Sequence, residues 1–118
     1  MTVLAFTACS KNTALRREAI KILKSSDTTA LVADAKSLWS STNEKDFDIE
    51  PDKWPMTFAS FSPVRVWRYH DGIYIITAKY VSHTAGIYIF IDPSATPADT
   101  SNVKYEHLMG SIFWVLTS

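Results

Sequence analysis

Residues 64–93 read VRVWRYHDGIYIITAKYVSHTAGIYIFIDP, and they carry the strongest signal for a β-sheet in the sequence. It holds three runs rich in β-branched and aromatic residues, which predict strands over 64–69, 73–81 and 87–92. The pair Asp71-Gly72 suits a tight hairpin turn between the first two strands, and residues 82–86 form a second short turn. Because short turns join neighbouring antiparallel strands, the stretch predicts a β-meander.

A fourth strand is predicted further along the chain, over residues 112–117. Pro93 ends the third strand, and the segment PSATPADTSN that it begins is typical of an exposed loop. In the later three strands, both alternating sets of side chains are largely apolar. An antiparallel sheet with one face in water alternates cleanly between apolar and polar residues. We therefore expect both faces of this sheet to be shielded from water by other segments or by a partner.

The N-terminal part of the chain has a helical period. The apolar residues fall at helical spacing in two stripes: Leu15, Ala19, Ile22 and Leu23, and then Leu31, Ala35, Leu38 and Trp39. The polar segment 25–29 between them suits the end of one helix and the cap of the next. The predicted fold class is therefore α+β, with an N-terminal helical hairpin packed on a four-stranded antiparallel β-meander. Residues 13–118 form the single domain.

The segment PDKWPMTFASFSPVRVW, residues 51–67, connects the helices to the sheet. Its three prolines exclude a long helix, because the residue before each proline favours extended backbone. Trp54 is expected to plug one end of the core. The spacing W-P-x7-P-x2-V that begins at Trp54 resembles that of small, poorly characterised bacterial proteins that pair this segment with a β-meander. This resemblance covers residues 54–118 and implies a fold but no reaction.

The second face of the sheet, rich in Tyr and Phe, has two interpretations. Either the 54–61 segment and the N-terminal region fold over it, or part of it stays open for a partner. Aromatic side chains with polar tips suit a protein interface. On the second interpretation, the candidate partner-binding residues are Trp54, Trp67, Tyr74, Tyr88 and Trp114.

The first ten residues, MTVLAFTACS, contain a candidate targeting signal. Phe6-Thr7-Ala8-Cys9 resembles the lipobox of bacterial lipoproteins, in which an apolar residue and two small residues precede a cysteine. The resemblance implies that Cys9 is lipidated, that residues 1–12 are a truncated signal and tether, and that the protein is anchored in the bacterial cell envelope. Ser10 after the cysteine implies the outer membrane. If residues 1–12 are instead a structural N-terminus, the location is cytoplasmic.

The composition argues against several other classes. Twelve basic residues balance twelve acidic ones, so the long-range positive field that draws proteins to nucleic acid is missing. The sequence has neither a phosphate-binding glycine loop nor a zinc or nucleophile motif, and one cysteine cannot form an intrachain disulfide. We therefore expect no cofactor, no metal and no catalytic residue. Arg65, Arg68 and Lys79 are expected to form a small basic patch at the sheet rim.

The favoured prediction is a non-catalytic envelope lipoprotein that binds a protein, as an inhibitor or immunity protein does. One alternative is a module that binds a small apolar ligand between helices and sheet. A third, less favoured, is a small hydrolase that uses His70, Asp71 and Asp92, because the meander brings these residues to the same end of the sheet.

Overall fold

A computed structural model describes residues 2–41 and 46–118, with side chains from residue 13 onward. Within these ranges, two helices precede a six-stranded antiparallel sheet. The helices are α1 (Thr2–Ser25) and α2 (Thr28–Ser40), and the strands are β1 (Phe47–Ile49), β2 (Arg65–Tyr69), β3 (Gly72–Lys79), β4 (Thr84–Phe90), β5 (Val103–Met109) and β6 (Ile112–Thr117). The strand order is β1-β2-β3-β4-β6-β5. The α+β class is confirmed, whereas the prediction of four strands is wrong.

The two predicted helical stripes both face the sheet. Ala19, Leu23, Leu31 and Ala35 are buried, and the other stripe residues pack against them. Asp27 caps α2, since its carboxylate accepts a hydrogen bond from the Ala30 backbone N–H at 3.0 Å. The helical backbone of α1 begins at Thr2 rather than near residue 13. It therefore includes position 9, but the Cys9 side chain lies outside the described part of the chain, and its lipidation stays a prediction.

The face of the sheet that packs against the helices is called the inner face. Its core is made of Ile and Val side chains from the central strands, together with Trp114. Arg68 is also buried there, at 5 % exposure. Its Nε donates a hydrogen bond to the Trp39 carbonyl at 2.9 Å, and its guanidinium lies 4.5 Å from the centre of the Trp39 ring. The Trp39 indole N–H in turn donates to the Tyr69 carbonyl at 2.8 Å, so α2 is fixed to β2.

The segment between β1 and β2 covers the inner face as well. It forms two 3₁₀ helices, Pro51–Lys53 and Met56–Phe61. Phe58 is fully buried in the inner core, and the half-buried Trp54 packs against the same core. The Trp54 indole N–H donates to the Ile49 carbonyl at 2.9 Å. Trp54 thus caps the inner core as expected, but the interpretation that this segment covers the second face is wrong.

Two strands were missed at the edges of the sheet. The strand β1 lies between α2 and the 51–67 segment. Its Phe47 and Ile49 side chains face the inner core, and the Asp48 carboxylate lies 3.7 Å from the Arg65 Nε. The region after the 93–102 loop forms β5, which pairs only with β6 in the described sheet. Because β6 returns to pair with β4, the sheet is not a simple meander.

An irregularity in the β3–β4 pairing changes which face some residues occupy. The register shifts between Ile76 and Ala78, so that Ala78 and Tyr80 pack on the inner core and not beside Tyr74 as alternation predicts. The strand β4 also begins earlier than predicted, and Gly86 lies inside it rather than in the turn.

Candidate functional site: the outer face of the sheet

The face of the sheet opposite the helices is called the outer face. Its buried cluster comes from β3, β4 and β6, and half-buried neighbours surround it. Among the described elements, only strand residues and Ala95 of the 93–102 loop contribute to this cluster. The members are Trp67, Tyr69, Tyr74, Ile76, Tyr88, Phe90, Ala95, Val103, Tyr105, Phe113 and Val115. The large side chains bury one another, so the face is aromatic without helical cover from the described residues.

Tyr88 is the centre of the aromatic cluster. Its ring centroid lies 4.6 Å from that of Phe90, 5.9 Å from that of Tyr74 and 6.1 Å from that of Tyr69. Tyr105 meets Tyr88 edge to face at 6.4 Å. These separations are those of favourable aromatic pairs, so the rings hold one another in fixed positions.

Four tyrosines line a cavity of about 230 Å³ in this face, which we call the tyrosine hollow. Tyr74 and Tyr88 are almost fully buried, whereas Tyr69 and Tyr105 are half-buried. The other lining residues are His70, Asp71, Val103, Val115 and Thr117.

A second cavity of about 420 Å³ adjoins the tyrosine hollow, and we call it the basic hollow. The two share Tyr69, Tyr74 and Thr117, and the basic hollow adds Arg65 and Lys79. The two hollows therefore lie side by side on the outer face.

The hydroxyl groups of the buried tyrosines are held by hydrogen bonds. The Tyr88 hydroxyl donates to the Asp71 carboxylate, and the Tyr74 hydroxyl shares a hydrogen bond of 2.9 Å with the Thr84 hydroxyl. Burial raises the pKa of Tyr74 to about 12. Burial, and then the hydrogen bond and charge of Asp71, raises the pKa of Tyr88 well above its usual value. Both hydroxyls are therefore neutral at physiological pH.

One carboxylate lines the tyrosine hollow, and two more lie close to tyrosines in its wall. Asp71 lines it, and Asp99 accepts a hydrogen bond from the Tyr105 backbone N–H at 2.8 Å. In the antiparallel pairing of β1 with β2, Phe47 lies opposite Arg68. The preceding residue, Asp46, is therefore next to Tyr69. Burial and then Asp46 raise the pKa of Tyr69, while burial and then Asp71 and Asp99 raise the pKa of Tyr105. Of the described residues that line this hollow, none is Lys or Arg, so its local charge is negative.

The structure separates the five candidate partner-binding residues. Trp67, Tyr74 and Tyr88 lie together on the outer face. Trp54 and Trp114 belong to the inner core, and Trp114 is only 3 % exposed, so it presents no surface to a partner.

Sequence reasoning missed two residues of the outer face, Tyr69 and Tyr105. Tyr69 follows Trp67 at the spacing of two that places side chains on one face of a strand, and this signal was present. Tyr105 was missed because β5 itself was missed.

The polar residues named for a hydrolase lie at one end of the sheet, where Asp71 and Asp92 line a common cavity of about 360 Å³. The His70 imidazole Nε2 lies 3.9 Å from an Asp71 oxygen, and the His70 side chain is 74 % exposed. Asp92 accepts hydrogen bonds from the Ser94 backbone N–H and hydroxyl, which lower the pKa of Asp92. In the described part of the chain, no group of three His, Cys, Asp or Glu residues is arranged to hold a metal. The expected basic patch loses Arg68, which is buried on the inner face.

Comparisons of the chain with protein-family models, curated proteins and solved structures find no match. The two resemblances drawn from the sequence, to lipoproteins and to the W-P-x7-P-x2-V proteins, therefore stay predictions. Over the described ranges, none of the helices has both the length and the apolar character needed to cross a membrane.

Proposed function

We propose that this chain is a non-catalytic binding protein that recognises another protein through the outer face of its sheet. The observation that carries the proposal is the pair of adjoining hollows on this aromatic face, which no described helix covers. The aromatic surface that a partner would contact comes from the half-buried rings of Trp67, Tyr69 and Tyr105. Tyr and Trp are enriched in protein interfaces, because their rings bury a large area while their polar tips keep a hydrogen-bonding group.

The distribution of charge supports recognition of one partner in one orientation. The tyrosine hollow is lined by the Asp71 carboxylate, while the adjoining basic hollow carries Arg65 and Lys79. A partner with the opposite arrangement of charges is favoured, and one bound the other way round meets like charges. An inhibitor or immunity protein needs this selectivity.

A small apolar ligand is the second candidate occupant of the same face. The tyrosine hollow favours it, since its walls are mostly aromatic and aliphatic. Its volume of about 230 Å³ is below the roughly 300–1,000 Å³ of ordinary ligand sites. The basic hollow is large enough, but two cationic side chains line it. Protein recognition therefore accounts for more of the surface.

The proposed location is the bacterial cell envelope, with a lipid on Cys9. Lipid chains that bury many methylenes attach a protein stably, at about 0.8 kcal/mol for each CH₂ group. The test is expression of the chain with its native upstream codons in a bacterium, followed by membrane fractionation and mass spectrometry of the N-terminal peptide. Wild-type protein should sediment with membranes and carry acyl groups, and Cys9→Ser should be soluble. Equal fractionation of both would remove the envelope assignment.

Partner recognition is tested by quantitative affinity capture with matched variants. Trp67→Ala and Tyr69→Ala change half-buried rings of the outer face, whereas Met56→Ala and Val81→Ala change residues that are 88 % and 106 % exposed elsewhere. A specific partner should be lost with the first pair and retained with the second, at a temperature below the melting transition of every variant. Retention of the partner by both pairs would overturn the proposal. Native mass spectrometry that finds a bound small molecule instead would favour the second candidate.

A further inference from the structure

We propose that the tyrosine hollow binds an organic cation, namely a Lys or Arg side chain that the partner protein inserts into it. This inference rests on the proposed function and names the chemistry of the contact. The three observations behind it are the aromatic walls, the nearby carboxylates and the size of the hollow.

The walls of the hollow suit a cation. A cation within about 6 Å of a tyrosine ring centre is attracted by the negative face of the ring, and the attraction grows when the cation is desolvated. Tyr69 and Tyr105 are half-buried at the entrance, and Tyr74 and Tyr88 lie deeper. Several rings thus border one small space, as in sites that recognise alkylammonium groups.

The negative charges around the hollow also favour a cation. The Asp71 side chain is 44 % exposed, so its carboxylate is accessible from the hollow. An ionised carboxylate has about four hydrogen-bond acceptor sites, and the Tyr88 hydroxyl uses one of those of Asp71. The carboxylate can therefore accept further hydrogen bonds. Asp46 and Asp99 add negative charge beside Tyr69 and Tyr105. An anion in this position would be repelled by the Asp71 carboxylate in the wall and by the charges of Asp46 and Asp99 near the edge.

The size of the hollow fits a side-chain head group rather than a larger ligand. A space of about 230 Å³ is smaller than the sites that enclose drug-sized molecules, which begin at roughly 300 Å³. Val103 and Val115 give the aliphatic stem of a lysine or arginine an apolar wall. Lys79 and Arg65 in the adjoining hollow disfavour the same cation there.

The experiment uses choline as a probe, with 3,3-dimethylbutan-1-ol as its neutral isostere. Each is titrated into the ¹⁵N-labelled full chain at constant ionic strength, and amide shifts are followed by NMR. Choline should give saturable shifts centred on Tyr69, Asp71 and Tyr105, while the isostere should bind at least fivefold more weakly. N-acetyl-lysine methylamide should displace choline.

Matched variants test the two sources of affinity. Asp71→Asn should weaken choline binding about fivefold, whereas Asp52→Asn, an exposed aspartate in the first 3₁₀ helix, should leave it unchanged. Tyr69→Leu should weaken binding about tenfold, and Tyr69→Phe should retain it because the ring remains. Melting temperatures show whether each variant is folded.

The outcomes separate this inference from the proposed function. Equal binding of choline and its isostere, or no saturable shift with either, would overturn the cation site. If partner capture still depended on Trp67 in that case, the proposed function would stand. Saturable choline binding that survives Asp71→Asn and Tyr69→Leu would also overturn the site, because the cation would then bind elsewhere.

Discussion

The titration of the Tyr74 hydroxyl tests whether the packing of the outer face excludes water from this group. Burial raises its pKa from the ordinary 10.0 to about 12, and the side chain is 3 % exposed. A tyrosine with a raised pKa stays protonated in the folded chain at a pH where the unfolded chain has lost the proton. Its contribution to stability is therefore complete below pH 10 and is lost as the pH rises towards 12.

The size of this effect follows from the shift. One pKa unit corresponds to about 1.4 kcal/mol, so at pH 11 the Tyr74 contribution is lower by about 1.4 kcal/mol than at pH 9. Tyr74→Phe removes the titrating group and also the hydrogen bond to Thr84, which costs about 1 kcal/mol at every pH. Wild type should therefore be more stable than the variant by about 1 kcal/mol at pH 9 and less stable by about 0.4 kcal/mol at pH 11, a change of about 1.4 kcal/mol.

Urea unfolding followed by tryptophan fluorescence measures this difference at both pH values. Tyr88 and the lysines titrate in both proteins, so their effects cancel in the comparison. A gap that stays constant between pH 9 and pH 11 would show that the Tyr74 hydroxyl is as well hydrated in the folded chain as in the unfolded one. The outer face would then not be the dry aromatic surface on which the proposals rest.

Three further stability predictions follow from the packing. Phe58→Ala should cost about 3–5 kcal/mol in urea unfolding because it empties a fully buried site, while Met56→Ala nearby should change less than about 0.5 kcal/mol; equal effects would contradict the core position of Phe58. Gly86→Ala should cost about 1–3 kcal/mol, because a Cβ there would overlap the backbone of β3, and an unchanged melting temperature would argue against that close approach. Trp39→Phe removes the indole donor to the Tyr69 carbonyl and should cost about 1–3 kcal/mol, with protection of α2 amides from hydrogen exchange falling most; uniform loss of protection would not fit this reasoning.

Periodicity predicted the helices and the central strands because each buries one regular stripe or row. Leu23, Leu31 and Ile75 all lie in the inner core, as their spacing requires. The central strands are largely apolar on both sides, so their signal is strong. The α+β class could therefore be predicted from local patterns alone.

The edges of the sheet could not be predicted as readily. In and beside β1, the charged residues Asp46, Asp48 and Glu50 dominate the composition. They conceal the alternation of Phe47 with Ile49. In β5, the register shifts between His107 and Met109, so a single period does not describe the whole strand. Local patterns also do not show that β6 pairs with β4, since this contact depends on the route of the chain.

The candidate site was predicted in part for the same reason. Tyr74 and Tyr88 lie on central strands and were assigned to the correct face, while Tyr105 lies on the missed strand β5. Trp114 was proposed as a partner-binding residue because it is a tryptophan, but its position in β6 places it in the inner core. A hollow between four strands depends on the curvature and pairing of the sheet, which no single segment encodes.

The outermost strands have a consequence for solubility. A sheet with both faces apolar is at risk of growing by edge-to-edge addition of further chains, which leads to aggregates. Here β1 is only three residues long, and β5 is irregular and carries Lys104, Glu106 and His107. Short, irregular and charged margins oppose such addition. The margins of the sheet therefore oppose aggregation even though its outer face is aromatic.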